Sequence, residues 1–156
     1  MTRWAYWVAE DAALPSDRTA IASRTSSTVA VRIVRLGSER AAGEGLRIGT
    51  VRRPPRGVPK TALAARNFYD VWFPNLAPSE ELLKRGLRAE TDRDWRAFAR
   101  RYRAEMAKPD ARRTIDLLAA LSHDADFSVG CYCENESRCH RSLLRALLVA
   151  RGAHVR

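Results

Sequence analysis

Residues 127–148, FSVGCYCENESRCHRSLLRALL, decide how this chain folds. The apolar run at 127–130 is typical of a buried strand, and the leucines of 143–148 repeat at helical spacing. Between them, residues 131–141 hold all three cysteines of the chain together with a histidine, two carboxylates and two arginines. The sequence therefore predicts a strand, a polar loop and a helix. Such a junction directs loop side chains and the free N–H groups of the helix start into one small volume.

Upstream of this junction, strand and helix patterns follow one another along the chain. Strands are predicted at residues 29–36, 46–51, 68–73 and 127–131, and helices at 78–87, from 91 to about 106, from 109 to about 122 and at 137–151. Ser79 suits a helix start, and Thr91 with Asp94 fits a capping box. Pro109 suits the first turn of the helix that follows it.

The order of these elements predicts a single α/β domain over residues 29–156. We expect a mostly parallel β-sheet flanked by helices, in a three-layer, Rossmann-like arrangement. Residues 1–28 have no clear periodicity and end in a Ser/Thr-rich segment, so we expect a flexible N-terminal extension there.

The chain is strongly basic, with a formal net charge of +10 over 156 residues. Residues 32–66 carry nine basic and two acidic groups, and the excess centres on Arg52, Arg53 and Arg56. A basic loop of this kind suits contact with phosphate or carboxylate groups. No apolar stretch approaches the roughly 20 residues that span a bilayer, and the N-terminus lacks the apolar core of a secretory signal. We therefore expect a cytoplasmic protein without a membrane partner.

The cysteine-rich loop predicts its own local geometry. Cys131 and Cys133 are two residues apart on a strand, so their side chains share a face. Ser137 is a natural N-cap, which would place Cys139 and His140 in the first helical turn. A thiol near the positive end of the helix dipole and near arginines has a lowered pKa.

Four interpretations of this loop compete. In the first, it is an anion-binding catalytic site: Arg141 and helix amides bind the anion, Cys139 or Cys131 is the nucleophile, and His140 or Glu134 carries the proton. In the second, the cysteines and His140 bind zinc, although successive helical residues diverge by roughly 100°, which disfavours a shared ion. In the third, two of the cysteines, most readily Cys133 with Cys139, form a redox pair. In the fourth, the cysteines and the histidine simply pack in the core.

Three motifs give the chain a resemblance to a known family. They are GLRIGTVRRPPRGV at 45–58, YDVWFPNLAPS at 69–79, and SVGCYCE at 128–134 with CHRS at 139–142. On these motifs the chain resembles the bacterial DUF488 family, a domain family without an assigned activity. Many relatives place Cys-x-Glu eight residues before the cysteine of Cys-His-Arg. Here Cys131 holds that cysteine position and Cys133 stands where glutamate is usual. The resemblance implies an α/β fold and a shared site, and it supplies no reaction.

In open parallel sheets, ligands gather beyond the carboxyl ends of the strands. We therefore expect the loops that follow three of the strands to meet in one crevice. In this crevice Arg53 and Arg56 would bind an anionic group, Asp70 would orient an arginine or histidine, and Trp72 would lie close by.

The sequence thus favours a Cys/His/Arg pocket for a small anionic or nucleotide-like ligand, with catalysis left open and no cofactor expected. Two alternatives remain: a nucleic-acid-associated module that uses Arg52, Arg53 and Arg56, and a zinc-binding or redox-active thiol protein. The oligomeric state is not indicated by the sequence.

Overall fold

The computed structural model describes residues 29–156. The strands are β1 (Val31–Arg35), β2 (Leu46–Gly49), β3 (Val71–Trp72) and β4 (Phe127–Cys131). The α-helices are α1 (Glu80–Leu87), α2 (Asp92–Met106), α3 (Pro109–Leu121) and α4 (His140–Ala150). Three short 3₁₀ turns lie at Lys60–Ala62, Pro74–Leu76 and Glu136–Arg138. The extension expected at residues 1–28 lies outside the described residues.

The four described strands form one parallel sheet in the order β1-β4-β2-β3. Val129 at the centre of β4 pairs with Ile33 on one side and with Ile48 on the other. All five residues of β4 are buried, as expected for a central strand that is covered on both faces. This architecture confirms the predicted α/β domain with a parallel sheet. It also places the carboxyl ends of β2 and β4 side by side, which fixes the position of the site.

One face of the sheet carries the helices. The larger core cluster joins Val31, Ile33, Phe127 and Val129 to buried side chains from all four described α-helices. Helix α4 contacts β1, β4, α2 and α3, and Leu144 and Leu148 are fully buried. Burial of one such leucine side chain stabilises the fold by roughly 1.5–3 kcal/mol. The leucine pattern of the last helix is therefore the apolar stripe that attaches it to the sheet.

The other face is covered by loops and by the 3₁₀ turn Lys60–Ala62. Gly49 and Gly130 are register partners on this face. A Cβ atom at Gly49 would lie 2.4 Å from the Tyr69 ring, and a Cβ at Gly130 would lie 2.7 Å from Leu36. The covering chain packs directly onto the sheet because these two positions lack side chains. The three-layer arrangement predicted from the sequence is therefore present with a difference: on this face the covering layer consists of loop segments rather than α-helices.

A buried ion pair also lies on the loop-covered face. Arg47 is fully buried, and its Nε donates to Glu44 Oε1 at 2.6 Å. The Arg47 guanidinium also donates to the carbonyl oxygens of Ser38 and Asn67, and Ser128 Oγ donates to Glu44. Burial opposes ionisation of Glu44, but the hydrogen bonds from Arg47 and Ser128 outweigh it and lower its pKa to about 2.

The predicted helix starts are confirmed for three helices. Ser79 Oγ accepts the Leu82 N–H at 3.3 Å. Thr91 and Asp94 form the reciprocal capping box, and Pro109 occupies the first turn of α3. Within the described residues no helix is long and apolar enough to cross a membrane.

The predicted start of the last helix is wrong. Ser137 is not its N-cap, because the Asn135 side chain accepts the Ser137 N–H and holds residues 136–138 in a 3₁₀ turn. Helix α4 begins at His140, and Cys139 is its N-cap residue with an extended backbone. Cys139 therefore lies outside the helix rather than in its first turn.

Candidate functional site

A pocket of about 490 Å³ opens at the carboxyl ends of β2 and β4. Its walls come from the loop after β2, from helix α1 and from the loop after β4. The lining residues are Val51, Arg52, Arg53, Pro54, Pro55, Arg56, Pro78, Leu83, Leu87, Cys131, Tyr132, Cys133, Glu134 and His140. Two of the three predicted loops therefore meet in one crevice, as parallel sheets of this kind favour.

The three cysteines form a compact cluster at this pocket. Their Sγ atoms all lie within 4.8 Å of one another, and Cys131 Sγ lies 3.6 Å from Cys133 Sγ. Cys131 and Cys139 are buried, whereas Cys133 is exposed, and all three thiols are free. The predicted shared face of Cys131 and Cys133 is thus present. Cys133 is the member of the cluster that a ligand can reach directly.

His140 lies behind the cluster with a fixed orientation. Its Nε2 is 2.8 Å from the Thr50 carbonyl oxygen, which can only accept, so Nε2 carries the proton. Nδ1 then holds a lone pair when the ring is neutral, and it lies 3.9 Å from Cys139 Sγ. Burial lowers the pKa of His140 and outweighs the opposing hydrogen bond to Thr50. The buried Tyr102 ring packs against the imidazole at 5.6 Å.

The thiol pKa values diverge within the cluster. Hydrogen bonds from Cys131 and Cys139 lower the pKa of Cys133, and the nearby Arg141 guanidinium acts in the same direction. The shared hydrogen bond with Cys133 raises the pKa of Cys131 to about 11. Hydrogen bonds to the other two cysteines, together with burial, raise the pKa of Cys139. The predicted low pKa of Cys139 is therefore wrong, because this sulfur is a buried donor to a more exposed neighbour.

Arg141 lies beneath the loop rather than in the pocket. It is buried, and its Nη1 and Nη2 atoms donate to the carbonyl oxygens of Cys131 and Glu134 at 3.4 and 3.3 Å. These bonds hold the loop after β4 in place. Arg141 is absent from the pocket lining, so the structure places it as a loop support and not at the predicted anion-binding position.

The three arginines after β2 have different surroundings. The Arg52 guanidinium donates to the carbonyl oxygens of Pro78 and Ala77 at 2.9 and 2.8 Å, which fastens its loop to the start of α1. Arg53 is exposed and forms an ion pair with Glu80. Arg56 lies exposed at the pocket, without an ion pair or hydrogen bond to any described residue.

Neither Asp70 nor Trp72 lines the pocket. Asp70 pairs with both Nη atoms of Arg40 at 2.8 and 2.9 Å and accepts the Arg47 N–H at 2.8 Å. It precedes β3, whose pairing sets it beside the start of β2 rather than its carboxyl end. Trp72 is 45% exposed, and its indole N–H donates to the Val51 carbonyl oxygen at 2.8 Å. The predicted place of Asp70 in the crevice is thus wrong, and Trp72 supports the adjoining loop.

Glu134 lies at the pocket but turns outward. Its carboxylate pairs with Arg35 at 3.0 Å, and its side chain is 83% exposed. This ion pair links the ends of β1 and β4. It directs the carboxylate toward Arg35, so the structure gives no contact between Glu134 and a thiol.

Sequence reasoning missed two features of the site. The alternation of residues 131 and 133 was visible, but the greater exposure of Cys133 depends on how the loop turns after the strand. The apolar wall formed by Pro78, Leu83 and Leu87 was also missed. Leu83 and Leu87 stand four residues apart on α1, and Leu87 is 77% exposed. Helical leucines that repeat on a face away from the core were the available signal.

Together the fold and the site define a class: a parallel α/β domain with a three-thiol cluster at the carboxyl edge of its sheet. The family model described as the active DUF488-N3 subclade matches residues 31–152. The chain belongs to the DUF488 family, and the resemblance drawn from its motifs is confirmed. No curated protein and no solved structure matches the chain.

Proposed function

We propose that the pocket binds a small anionic ligand and that the Cys133 thiolate displaces a leaving group from an electrophilic atom of that ligand. The bond to sulfur forms as the bond to the leaving group breaks, and the leaving group departs with that electron pair. The observation that carries this function is the position of Cys133. Cys133 lines the pocket, is exposed, and lies beside two buried cysteines, one of which is next to the buried His140. Cys131 also lines this pocket but is buried, so Cys133 is the exposed thiol of the pocket wall.

The pocket has the composition of a small-molecule site. Its volume of about 490 Å³ falls in the range of roughly 300–1,000 Å³ that such sites occupy. Proline and leucine side chains offer apolar contact to a planar or aliphatic part of a ligand. Arg56, which has no partner among the described residues, offers a guanidinium for a phosphate or carboxylate group. A nucleotide-like ligand combines these two properties.

The groups behind Cys133 suit proton transfer. Cys131 Sγ is within 3.6 Å of Cys133 Sγ, and Cys139 Sγ is within 3.9 Å of the His140 Nδ1 lone pair. A proton that leaves the cluster therefore has an acceptor whose orientation is fixed by Thr50.

A competition experiment on chelator-treated full-length protein tests this function. Nucleoside monophosphates, sugar phosphates and short dicarboxylates would be screened for slowing the alkylation of Cys133 by iodoacetamide, with binding measured in parallel by calorimetry. We expect an anionic compound to protect Cys133, and Arg56→Ala to weaken that protection. Cys133→Ser should retain binding and lose covalent chemistry. Protection that is equal for neutral and anionic compounds, and unchanged in Arg56→Ala, would remove the anion site.

The nucleic-acid alternative has less support from the contacts. Arg52 is occupied by two carbonyl oxygens and Arg53 by Glu80, which leaves Arg56 as the unpaired member of the three. Binding to DNA or RNA that weakens steeply with salt would revive this alternative, because each phosphate contact releases counterions.

A further inference from the structure

The three sulfur atoms lie at the spacing that one metal ion requires. An ion held at zinc–sulfur distances of about 2.3 Å has its sulfur ligands roughly 3.8 Å apart when the geometry is tetrahedral. Cys131 and Cys133 are at 3.6 Å, and all three Sγ atoms lie within 4.8 Å of one another. We propose that Cys131, Cys133 and Cys139 together bind one thiophilic divalent ion of the zinc type. This site does not depend on the ligand chemistry proposed above, because it uses only the mutual placement of the sulfurs.

The backbone explains how a single loop supplies three ligands. Cys131 ends β4, and Cys133 follows on the same face of the extended chain. The 3₁₀ turn Glu136–Arg138 then returns the chain, and Cys139 adopts an extended backbone with φ −124° and ψ 145°. The third sulfur is thereby brought back to the first two. Arg141 holds this loop through the carbonyl oxygens of Cys131 and Glu134.

His140 lies beside the cluster but outside the group of atoms within 4.8 Å of one another, which holds the three sulfurs alone among the described residues, so its Nδ1 would have to move closer to serve as a fourth donor. As successive residues of one helix, Cys139 and His140 would face different directions, which disfavours a shared ion. Cys139 precedes the helix, and its Sγ lies 3.9 Å from His140 Nδ1. The Nε2–H bond to Thr50 leaves the Nδ1 lone pair free, and a backbone carbonyl is a common partner for the second nitrogen of a metal-binding histidine. Because Cys139 precedes the helix, helical geometry does not turn its side chain away from His140.

The surrounding charge also suits a metal thiolate. Three thiolates and one divalent ion leave one net negative charge, which is costly in a mostly buried site unless a cation lies nearby. The buried Arg141 guanidinium supplies positive charge there. Its Nε has no hydrogen-bond partner in the described chain and lies 4.0 Å from the Glu136 carboxylate, which shares this charge. Metal binding would place Cys133 among the ligands and withdraw it from nucleophilic reaction. Metal occupancy and thiol reactivity are then mutually exclusive states of one cluster.

Cobalt(II) titration of the reduced, metal-free full-length protein tests the site, because all three cysteines of the chain belong to the cluster. We expect sulfur-to-cobalt charge-transfer absorption that saturates at one equivalent and disappears when Zn²⁺ is added. Cys133→Ser changes an exposed side chain, so it should fold normally and weaken Co²⁺ binding about 10-fold or more. His140→Asn should weaken binding as well, while His123→Ala, which alters an exposed histidine away from the cluster, should leave binding unchanged.

Three results would overturn the metal site: no charge-transfer absorption at one equivalent, absorption that persists undiminished in Cys133→Ser, or binding that is lost in His123→Ala. The rate of Cys133 alkylation distinguishes a failure of the metal site from a failure of the proposed ligand site. Zn²⁺ at one equivalent should slow this alkylation, because a metal-bound sulfur is a poorer nucleophile than a free thiolate, whereas an anionic ligand should slow it in chelator-treated protein. If the anionic ligand slowed alkylation and Zn²⁺ did not, the proposed metal site would be wrong and the proposed ligand site would stand.

Discussion

His140 Nε2 lies 2.8 Å from the carbonyl oxygen of Thr50, and this bond ties the first residue of α4 to the end of β2. The two residues are 90 positions apart in the chain, so the contact forms only when the sheet and the last helix have assembled. The bond also orients the imidazole, because it assigns the proton to Nε2 and directs Nδ1 toward Cys139. One hydrogen bond thus serves both the packing of α4 and the arrangement of the thiol cluster.

Replacement of His140 by alanine should destabilise the fold by roughly 2–4 kcal/mol, because it leaves the Thr50 carbonyl without its side-chain donor and opens a cavity beside Tyr102. Urea denaturation would measure this loss as a lower midpoint. His123→Ala is the matched control, because His123 Nε2 also lies 2.8 Å from a carbonyl oxygen, that of Gly152. His123 is exposed, so water can replace the lost partner, and stability should change by about 1 kcal/mol or less. Equal effects of the two substitutions would contradict the structural role of the His140–Thr50 bond.

The three thiols should react in a fixed order. Cys133 is exposed, and Cys131 and Cys139 are buried, so iodoacetamide should modify Cys133 at least about 10-fold faster than the other two in folded, metal-free protein. Peptide mapping by mass spectrometry after short exposures would give the three rates. In urea the rates should become similar, since burial no longer distinguishes the cysteines. Faster labelling of Cys139 in the folded protein would contradict the arrangement of the loop.

The features that could be predicted from the sequence are those that depend on residues close together in the chain. Local patterns predicted β4 and the capping box of Thr91 and Asp94, because both depend on residues a few positions apart. The start of α4 was misplaced because the Asn135 side chain competes for the Ser137 N–H, and both residues are acceptable caps by type alone. Asp70 was misplaced for a different reason: its partner Arg40 is 30 residues away, and no local pattern indicates that pairing.

The buried ion pair should make stability depend on pH. The folded-state pKa of Glu44 is about 2, below its ordinary value of 4.5, so its contribution is fully present above about pH 4.5 and is lost as pH falls toward 2. Glu44→Gln should destabilise the protein at pH 7 by about 3 kcal/mol or more, because it leaves the buried Arg47 without its counter-ion. The variant should also lose part of the dependence on pH between 4.5 and 2, which denaturation curves at several pH values would reveal.

Glu81→Gln is the control for this prediction. Glu81 pairs with Arg85 on the exposed surface of α1, where water screens the interaction. Its substitution should change stability little at pH 7. If Glu44→Gln behaved in the same way, the Glu44–Arg47 pair would not be the source of stability assigned to it.

Arg52 and Arg56 lie on the same loop, but their substitution should affect different properties: stability for Arg52 and anion binding for Arg56. Arg52 donates to the Ala77 and Pro78 carbonyl oxygens, so Arg52→Ala should lower the free energy of unfolding by roughly 1.5–3 kcal/mol and loosen the pocket wall. Arg56 has no partner among the described residues, so Arg56→Ala should leave stability unchanged and weaken anion binding. Denaturation and ligand calorimetry on the two variants separate these effects. Loss of stability in Arg56→Ala, or loss of anion binding in Arg52→Ala without loss of stability, would reverse the roles assigned to these two side chains. The shared loop makes each variant the control for the other, because both remove one guanidinium from the same basic segment.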